Sequence, residues 1–353
     1  MKLNSDIALQ RLNEIAQGRY TFKPFIYNNQ NQKIKCKCNK CNTEWESIYS
    51  NLVYSKQGCP KCPVKISKVE KQIRDIINLD SIICEYNVKD IISPYELDII
   101  INNNVAFEID GVFWHSDQFT DKYKDMHLQK TKMCENKGIR LFHIYDSEIY
   151  DKNQKDIWQS IILNSIQQTT QRIHARKCEI KEISNHEAKD FCEANHLQGG
   201  IYSKVNIGAF HESKLVAVMT FGVPRYNKQY EWELLRFCSL KFHRINGIAS
   251  RLLAYFKKAY NPLNIISYGN RRWCSKVSNV YQKLGFSLVG ESQPNYFYVK
   301  NGRLHSRLEF QKHKLRAKLD FFDKELTESE NMKLNGYGKI YDCGNLVYEM
   351  RCA

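Results

Sequence analysis

The chain has 353 residues, with 53 Lys/Arg against 38 Asp/Glu, a formal net charge of +15 and a pI of about 9.1. A hydrophobic share of 42% is enough for a packed core and excludes wholesale disorder, and the length suits two or three domains of ordinary size. The positive excess points to an anionic partner, usually nucleic acid, beside the plainer reading of a merely basic soluble protein.

The N-terminal MKLNSDIALQRLNEIAQGRY lacks the apolar block of a signal peptide, and no run of about 18 apolar residues exists, so no membrane span is expected. The thirteen cysteines are odd in number, five between Cys36 and Cys62 and the rest scattered singly. That distribution does not make the frame of a secreted disulfide protein, and a reducing, cytoplasmic compartment is expected.

Residues 1–64 read as a zinc module. Cys38-x2-Cys41 and Cys59-x2-Cys62 are separated by seventeen residues, a spacing that suits a four-thiolate Zn2+ site closed to catalysis. Such a site folds a segment too small to fold alone. Cys36 is an extra thiol outside the ligand set. KCNKCNTEWESIYSNLVYSKQGCPKC is similar to the small zinc-ribbon or treble-clef modules found beside phage and bacterial nucleases. Lys35, Lys37, Lys40, Lys56 and Lys61 then face phosphate, or are simply solvated.

A short amphipathic helix is predicted at 67–77, followed by two apolar strands, ELDIII and VAFEI, around Asn102-Asn103-Asn104. A helix from about 121 to 137 ends at Gly138, a third strand covers 139–145, and a helix covers about 154–166. A hairpin centred on Asn103 pairs Ile101 with Val105, Ile100 with Ala106, Ile99 with Phe107, and Asp98 with Glu108. Opposed like charges are destabilising in a sheet. A fold keeps two facing carboxylates mainly where a hard divalent cation such as Mg2+ neutralises them, and a water activated by the metal can attack a phosphodiester. A one-residue slip would break that pairing. Asp110 follows on the Glu108 face, His115 is a candidate acid or base, Asp146 ends the third strand, and Glu70 lies on the preceding helix.

Glu70, Asp98, Glu108-x-Asp110, Trp114-His115 and Asp146 together resemble the very-short-patch-repair-like branch of the PD-(D/E)XK nucleases, which includes homing endonucleases with an E-D-x-H-D pattern. The resemblance covers about 65–165, where KTKMCENKGIRLFHIY is also similar. It implies that Asp98 is the principal metal ligand, that His115 is the base, and that Glu70 and Asp146 complete the site. Asp110 stands where the family's triplet usually has lysine, which loosens the assignment of the base. Each residue has a second reading: Glu70 as the capping-box partner of Ser67, Glu108 and Asp110 as edge-strand charges, His115 as a core histidine, and Asp146 as the start of a turn. His127 and His143 are taken as structural.

QQTTQR at 167–172 is the expected linker. Beyond it, strands from 205 to 237, a helix at about 249–258 and a strand at 264–268 are predicted, and a charged helical stretch and a terminal strand pair close the chain. NIGAFHESKLVAVMTFG, RINGIASRLL and VYQKLGF give 173–300 a resemblance to the GNAT acyltransferase fold, with Arg244-x-x-Gly247-x-Ala249 at its pyrophosphate turn. Between Phe221 and Lys276 eleven Lys/Arg face two Asp/Glu, interleaved with Tyr226, Tyr230, Trp232, Tyr268 and Trp273, a balance that suits DNA contact more than acetyl transfer. Residues 301–353 are expected to be a basic C-terminal extension whose charges reach DNA or are solvated.

The expectation is therefore a mixed α+β multidomain protein of three modules. The zinc ribbon and the GNAT-like domain hold double-stranded DNA, and a Mg2+-dependent endonuclease domain at 65–166 cuts it. By resemblance it is a phage homing endonuclease in a phage-infected or bacterial host cell. The alternatives are a strand-nicking mismatch-repair endonuclease, a GNAT-type acetyltransferase with an inactive nuclease domain, or a zinc-dependent DNA-binding protein without catalysis.

Overall fold

The computed structural model describes residues 4–16, 18–39, 41–55, 57–62, 67–77, 82–112 and 124–352. It is a mixed α+β protein of two compact units, Met1–Lys71 and Gln72–Ala353. No helix among the described residues is long and apolar enough to cross a membrane.

In the first unit, α1 (Ser5–Ala16) precedes β1 (Tyr20–Phe22), β2 (Lys33–Cys38), β3 (Glu44–Ile48) and α2 (Tyr49–Val53). The strands form an antiparallel sheet in the order β1-β2-β3. Strict alternation along β2 turns Ile34, Cys36 and Cys38 inward and Lys33, Lys35 and Lys37 outward. Ala8, Leu12, Ile34, Cys36, Tyr49, Leu52 and Val53 form the core. The next helix, α3 (Lys68–Ile77), spans the division between the units.

The second unit opens with β4 (Cys84–Val88), β5 (Leu97–Ile101) and β6 (Val105–Asp110), then α4 (Met126–Asn136) and β7 (Arg140–Tyr145). They form a mixed four-stranded sheet, β4-β5-β6-β7. The β5/β6 register is Ile99 to Phe107, Ile100 to Ala106 and Ile101 to Val105, as the alternation and the turn require. Asn102 and Asn103 both take positive φ in the three-residue hairpin loop 102–104, a conformation asparagine tolerates. β6 and β7 are parallel, joined through α4, and Gly138 ends that connection at φ +71. Then come α5 (Asp146–Tyr150) and α6 (Lys152–Ser165). The predicted start of α4 at 121 lies outside the described residues.

The chain continues through β8 (Gln171–His174), β9 (Glu179–Glu182), α7 (Asn185–Asn195), β10 (Val205–His211), β11 (Lys214–Gly222), β12 (Trp232–Ser239), β13 (His243–Asn246), α8 (Ile248–Tyr260), β14 (Asn264–Asn270), α9 (Val280–Lys283) and β15 (Ser287–Glu291). It ends with β16 (Tyr296–Lys300), β17 (Arg303–Ser306), α10 (Lys312–Leu315), α11 (Glu328–Leu334), β18 (Gly338–Tyr341) and β19 (Asn345–Arg351). Seven strands make the large sheet, in the order β15-β19-β14-β12-β11-β10-β9. Its parallel neighbours β12 and β14 pair only from Trp232/Ile265 to Leu234/Ser267.

Three expectations about organisation are corrected. The segment 167–172 is not a free linker: Thr169 is buried, and β8 pairs in parallel with β13 from Gln171/His243 to His174/Asn246. The terminal strands do not pair with each other. β18 joins a small sheet, β17-β16-β18, whereas β19 lies between β14 and β15. Residues beyond 300 do extend the large sheet, which is completed only when the chain returns at 345 and buries Leu346, Tyr348 and Met350. Finally, the expected second and third modules form one unit. Arg271, 1% exposed, bridges Glu135 of α4 and Glu291 of β15, each at 2.5 Å. Arg272, 4% exposed, binds Glu148 of α5 at 2.6 Å and exchanges backbone contacts with His143 of β7.

Removing one partner of a buried ion pair strands the other charge, at a cost of about 3–5 kcal/mol. Glu148→Ala is therefore expected to destabilise the second unit by about that amount in urea denaturation. Loss of under about 1 kcal/mol, the range of exposed pairs, would show that Arg272 is not structural.

Candidate functional site

Two constellations stand out. In the first unit β2 ends at Cys38, and the backbone doubles back through bonds from Asn42 N to Cys38 O (2.9 Å) and from Cys38 N to Thr43 O (3.0 Å), with Asn42 at φ +56. A second turn closes from Cys62 N to Cys59 O at 3.2 Å. These knuckles bring the sulfurs of Cys38, Cys41, Cys59 and Cys62 within 4.8 Å of one another, with Cys38–Cys62 at 3.7 Å and Cys41–Cys59 at 3.6 Å. A tetrahedron with Zn–S bonds of about 2.3 Å has edges of about 3.8 Å, so the cluster fits a metal such as zinc without rearrangement. None of the thirteen cysteines is in a disulfide. Cys36 points into the α1/α2 core instead, where burial pushes its thiol up to about 11. Lys35 and Lys37 face outward on β2, Lys35 4.0 Å from Glu46, and Lys61 is exposed; Lys40 and Lys56 lie outside the described residues.

The second constellation is acidic. By strand alternation from the Ile100/Ala106 pair, Asp98, Glu108 and Asp110 share the sheet face that α4 covers. Each of the first two carboxylates reaches the other strand. Asp98 Oδ2 accepts from Ile109 N at 2.8 Å, and Glu108 Oε1 accepts a long bond of 3.4 Å from Asp98 N. Glu108 is 2% exposed and meets the Lys130 ammonium at 2.5 Å, while that ammonium also donates to Glu96 O at 2.9 Å. Burial, and then the neighbouring Asp98, push the Glu108 carboxyl up to about 8 against the pull of Lys130. Asp110 is fully buried between His143 Nδ1 (2.9 Å) and His127 Nε2 (3.3 Å). The other nitrogens of these rings meet Thr131 Oγ1 at 2.9 Å and Tyr341 O at 2.7 Å. Burial opposes charge on His143, but Cys343 and Asp110 outweigh it and push its pKa up to about 10.

Of the remaining sequence candidates, Asp146 opens α5 and its Oδ1 accepts from Val112 N at 3.0 Å, fixing the chain just after β6. Glu70 falls in the first unit, in the first turn of α3, where its amide donates to Ser67 Oγ at 2.9 Å, the backbone half of a capping box. Trp114 and His115 lie outside the described residues. Lys130, His127 and His143 carry roles that the sequence reading did not give them. The signal was in α4, whose buried residues His127, Lys130, Thr131 and Cys134 recur at helical spacing although the first three are polar.

In the larger sheet Gly247 holds φ +81 as the N-cap of α8, with Ala249 in the first turn, and Arg244 Nε bonds Asn246 Oδ1 at 3.1 Å. Arg244 and its neighbours are already laddered to β8. The amides of Lys241 and Phe242 are taken by Asn195 Oδ1 and Ser160 Oγ, each at 2.9 Å. The basic run 221–276 contributes less surface charge than its composition promised. Arg225 binds Glu233, Arg236 and Arg251 bind backbone carbonyls, and Arg271 and Arg272 are the buried pairs described above. Trp232 is buried, and Tyr230 donates to Glu349.

A family described as "Protein of unknown function (DUF723)" matches residues 1–63. "Uncharacterized protein R97" of Acanthamoeba polyphaga mimivirus is 35% identical over 54 residues, which are 15% of this chain and 19% of that protein. The chain thus spans about a fifth of the length of this curated relative. Among solved structures, an acetyltransferase of Bacillus subtilis in complex with CoA is 13% identical with a TM-score of 0.29, covering 50% of this chain and 100% of its own. An N-acetyltransferase from Staphylococcus aureus Mu50 is 13% identical with a TM-score of 0.27, covering 50% and 99%.

Two outcomes follow. The purified chain is expected to carry zinc at the four cysteines, and Cys59→Ser or chelation to unfold the first unit, read by metal analysis and circular dichroism. A wild-type chain folded without metal would refute this. Glu108 and His143 both hold protons more tightly folded than unfolded, over windows from 4.5 to about 8 and from 6.5 to about 10. Their contributions to stability are complete below the lower limits and lost as pH rises through the upper ones. The urea midpoint of the second unit should fall from pH 6 to pH 9, and Glu108→Gln should flatten the decline; a midpoint rising over that range contradicts the assignment.

Proposed function

We propose that the chain is a metal-dependent endonuclease that hydrolyses phosphodiester bonds in double-stranded DNA, of the homing-endonuclease kind. The observation that carries this reading is the convergence of Asp98 and Glu108 from adjacent strands. Two acids so placed repel each other, a repulsion that adds to the larger effect of burial in raising the Glu108 pKa, and a fold retains that arrangement where cation binding repays it. Their oxygens are the hard donors that Mg2+ takes, so Asp98 and Glu108 would hold the ion. When bound, it supplies Lewis-acid polarisation of the phosphate and acidification of a water.

The chain's own groups do the rest. Lys130, a helix residue, supplies beside Glu108 the ammonium that Asp110 cannot, and fixes the carboxylate's orientation. His127 and His143 hold Asp110 in place behind it. Asp146 anchors Val112, from which the chain runs on towards His115, the base by family resemblance. The net charge of +15 and the lysines beside the four-cysteine cluster suit a polyanionic substrate. A phage-infected or bacterial cytoplasm is the setting this reading implies, and a strand-nicking mismatch-repair enzyme shares the same chemistry.

The seven-stranded sheet is read as a GNAT-like scaffold, not an acetyl-CoA enzyme. The strand entering its Gly247 turn is occupied by β8, and the preceding amides are bonded to Asn195 and Ser160. With Mg2+, wild-type protein should cut plasmid or a randomised duplex library, and Asp98→Ala and Glu108→Gln should each lose about a thousandfold or more, corresponding to several kcal/mol of transition-state stabilisation. Full activity in Asp98→Ala, or turnover of acetyl-CoA in place of cleavage, overturns the reading.

A further inference from the structure

The chain between β15 and β19 leaves the large sheet and builds a subdomain of its own. One face of its β17-β16-β18 sheet carries Phe297, Val299, Leu304 and Ile340, which pack on Val112 and Tyr145. Val112 lies two residues beyond Asp110, and Tyr145 immediately precedes Asp146. The opposite face is covered by Phe310, Leu315 and Met332, from the segment that contains α10 and α11, packed on Tyr298. The hairpin is thus fixed from both sides, with one end against the strands that carry the acidic cluster.

Charge in this subdomain is polarised. Between 300 and 318 seven lysines and arginines stand against the single acid Glu309. Arg307 pairs with Glu328, Lys314 donates to Leu308 O, and Lys300 and Lys318 lie over the rings of Tyr337 and Phe310. Arg303, Lys312, His313 and Arg316 are exposed, and their side chains make no hydrogen bond or ion pair among the described residues. Moreover, Lys300 and Arg303 are direct cross-strand partners flanking the Asn301-Gly302 turn, whose two residues have positive φ. Opposed like charges weaken a hairpin, and a bound polyanion turns that repulsion into attraction.

We propose that the segment 300–318 is a duplex-DNA docking surface, with Arg303, Lys312 and Arg316 contacting phosphates of the strand pair delivered to the Asp98/Glu108 cluster. This rests on the endonuclease reading for its purpose, and on the charge and anchoring of the hairpin for its place. The occupant is double-stranded DNA because the partner must be anionic and must extend from the hairpin to the acidic cluster.

The test uses the full chain and the triple variant R303A/K312A/R316A, with K257A/K258A on α8 as a control that removes exposed lysines elsewhere. Binding of a fluorescein-labelled duplex is followed by anisotropy from about 50 to about 200 mM salt, with thermal melting to confirm folding. The triple variant should bind at least about tenfold more weakly, with a salt slope shallower by about 2.7, since each lost phosphate contact removes about 0.9. The control should match wild type, and cleavage at saturating protein should persist in the triple variant. An unchanged slope, an equal loss in the control, no duplex binding by wild type, or tighter binding of single strands overturns the proposal. The two readings separate. A wild-type chain that cleaves while the variant binds normally sinks the docking surface alone. Weakened binding by the variant, with no cleavage by wild type in Mg2+, sinks the endonuclease alone.

Discussion

Strand β6 puts Glu108 and Asp110 under a helix, away from water, and much of the second unit is arranged to make that tolerable. An unpaired buried carboxylate costs several kcal/mol, so each must find a partner. The partners come from α4, where His127, Lys130 and Thr131 occupy the inward positions that an ordinary amphipathic helix gives to leucine. Lys130 satisfies Glu108, and His127 and His143 satisfy Asp110, while Thr131 bonds one histidine ring and the backbone carbonyl of the other. The α4/sheet contact therefore gives up hydrophobic burial for a network of charges, a trade natural folds make most often where the charges serve chemistry.

The same logic joins this core to the larger sheet. Arg271 and Arg272 directly follow β14 and reach Glu135 and Glu148, so the core's helices serve as counter-ions for the sheet. Buried guanidiniums held by two acids or by an acid and a carbonyl fix orientation tightly, because the fork must meet its acceptors in one plane. The contact also explains why the +15 excess does not fall where composition put it. The arginines of the run 221–276 are largely consumed inside the second unit, while the inserted subdomain and β2 of the first unit keep exposed cations, as do Lys228, Lys257 and Lys258 within the run.

What the sequence revealed divides along physical lines. The hairpin register, the four-cysteine spacing, Gly138 as a terminator and most strands of the large sheet depend on neighbours within a few residues, and periodicity exposes such features. The β8/β13 pair, the place of β19 and the use of Arg271 and Arg272 depend on partners about 70 to 140 residues away, and no local pattern announces them. The polar segment 167–172 read as a linker because edge pairing of a short strand leaves no apolar alternation. α4 misled for the opposite reason: its inward face is polar, so its weak amphipathicity hid how thoroughly it is buried.

The β12/β14 ladder ends at Leu234 and Ser267, and a glycine turn at a helix start offers amides to an anion. Beside β12, Ile157 and Ser160 of α6 line a cavity with Leu240 and Trp273, and β8 pairs with the strand that leads into the glycine turn. Both elements lie between the acidic core and the large sheet in sequence. The connection thus supplies both a wall of that cavity and the partner of the strand leading into the glycine turn.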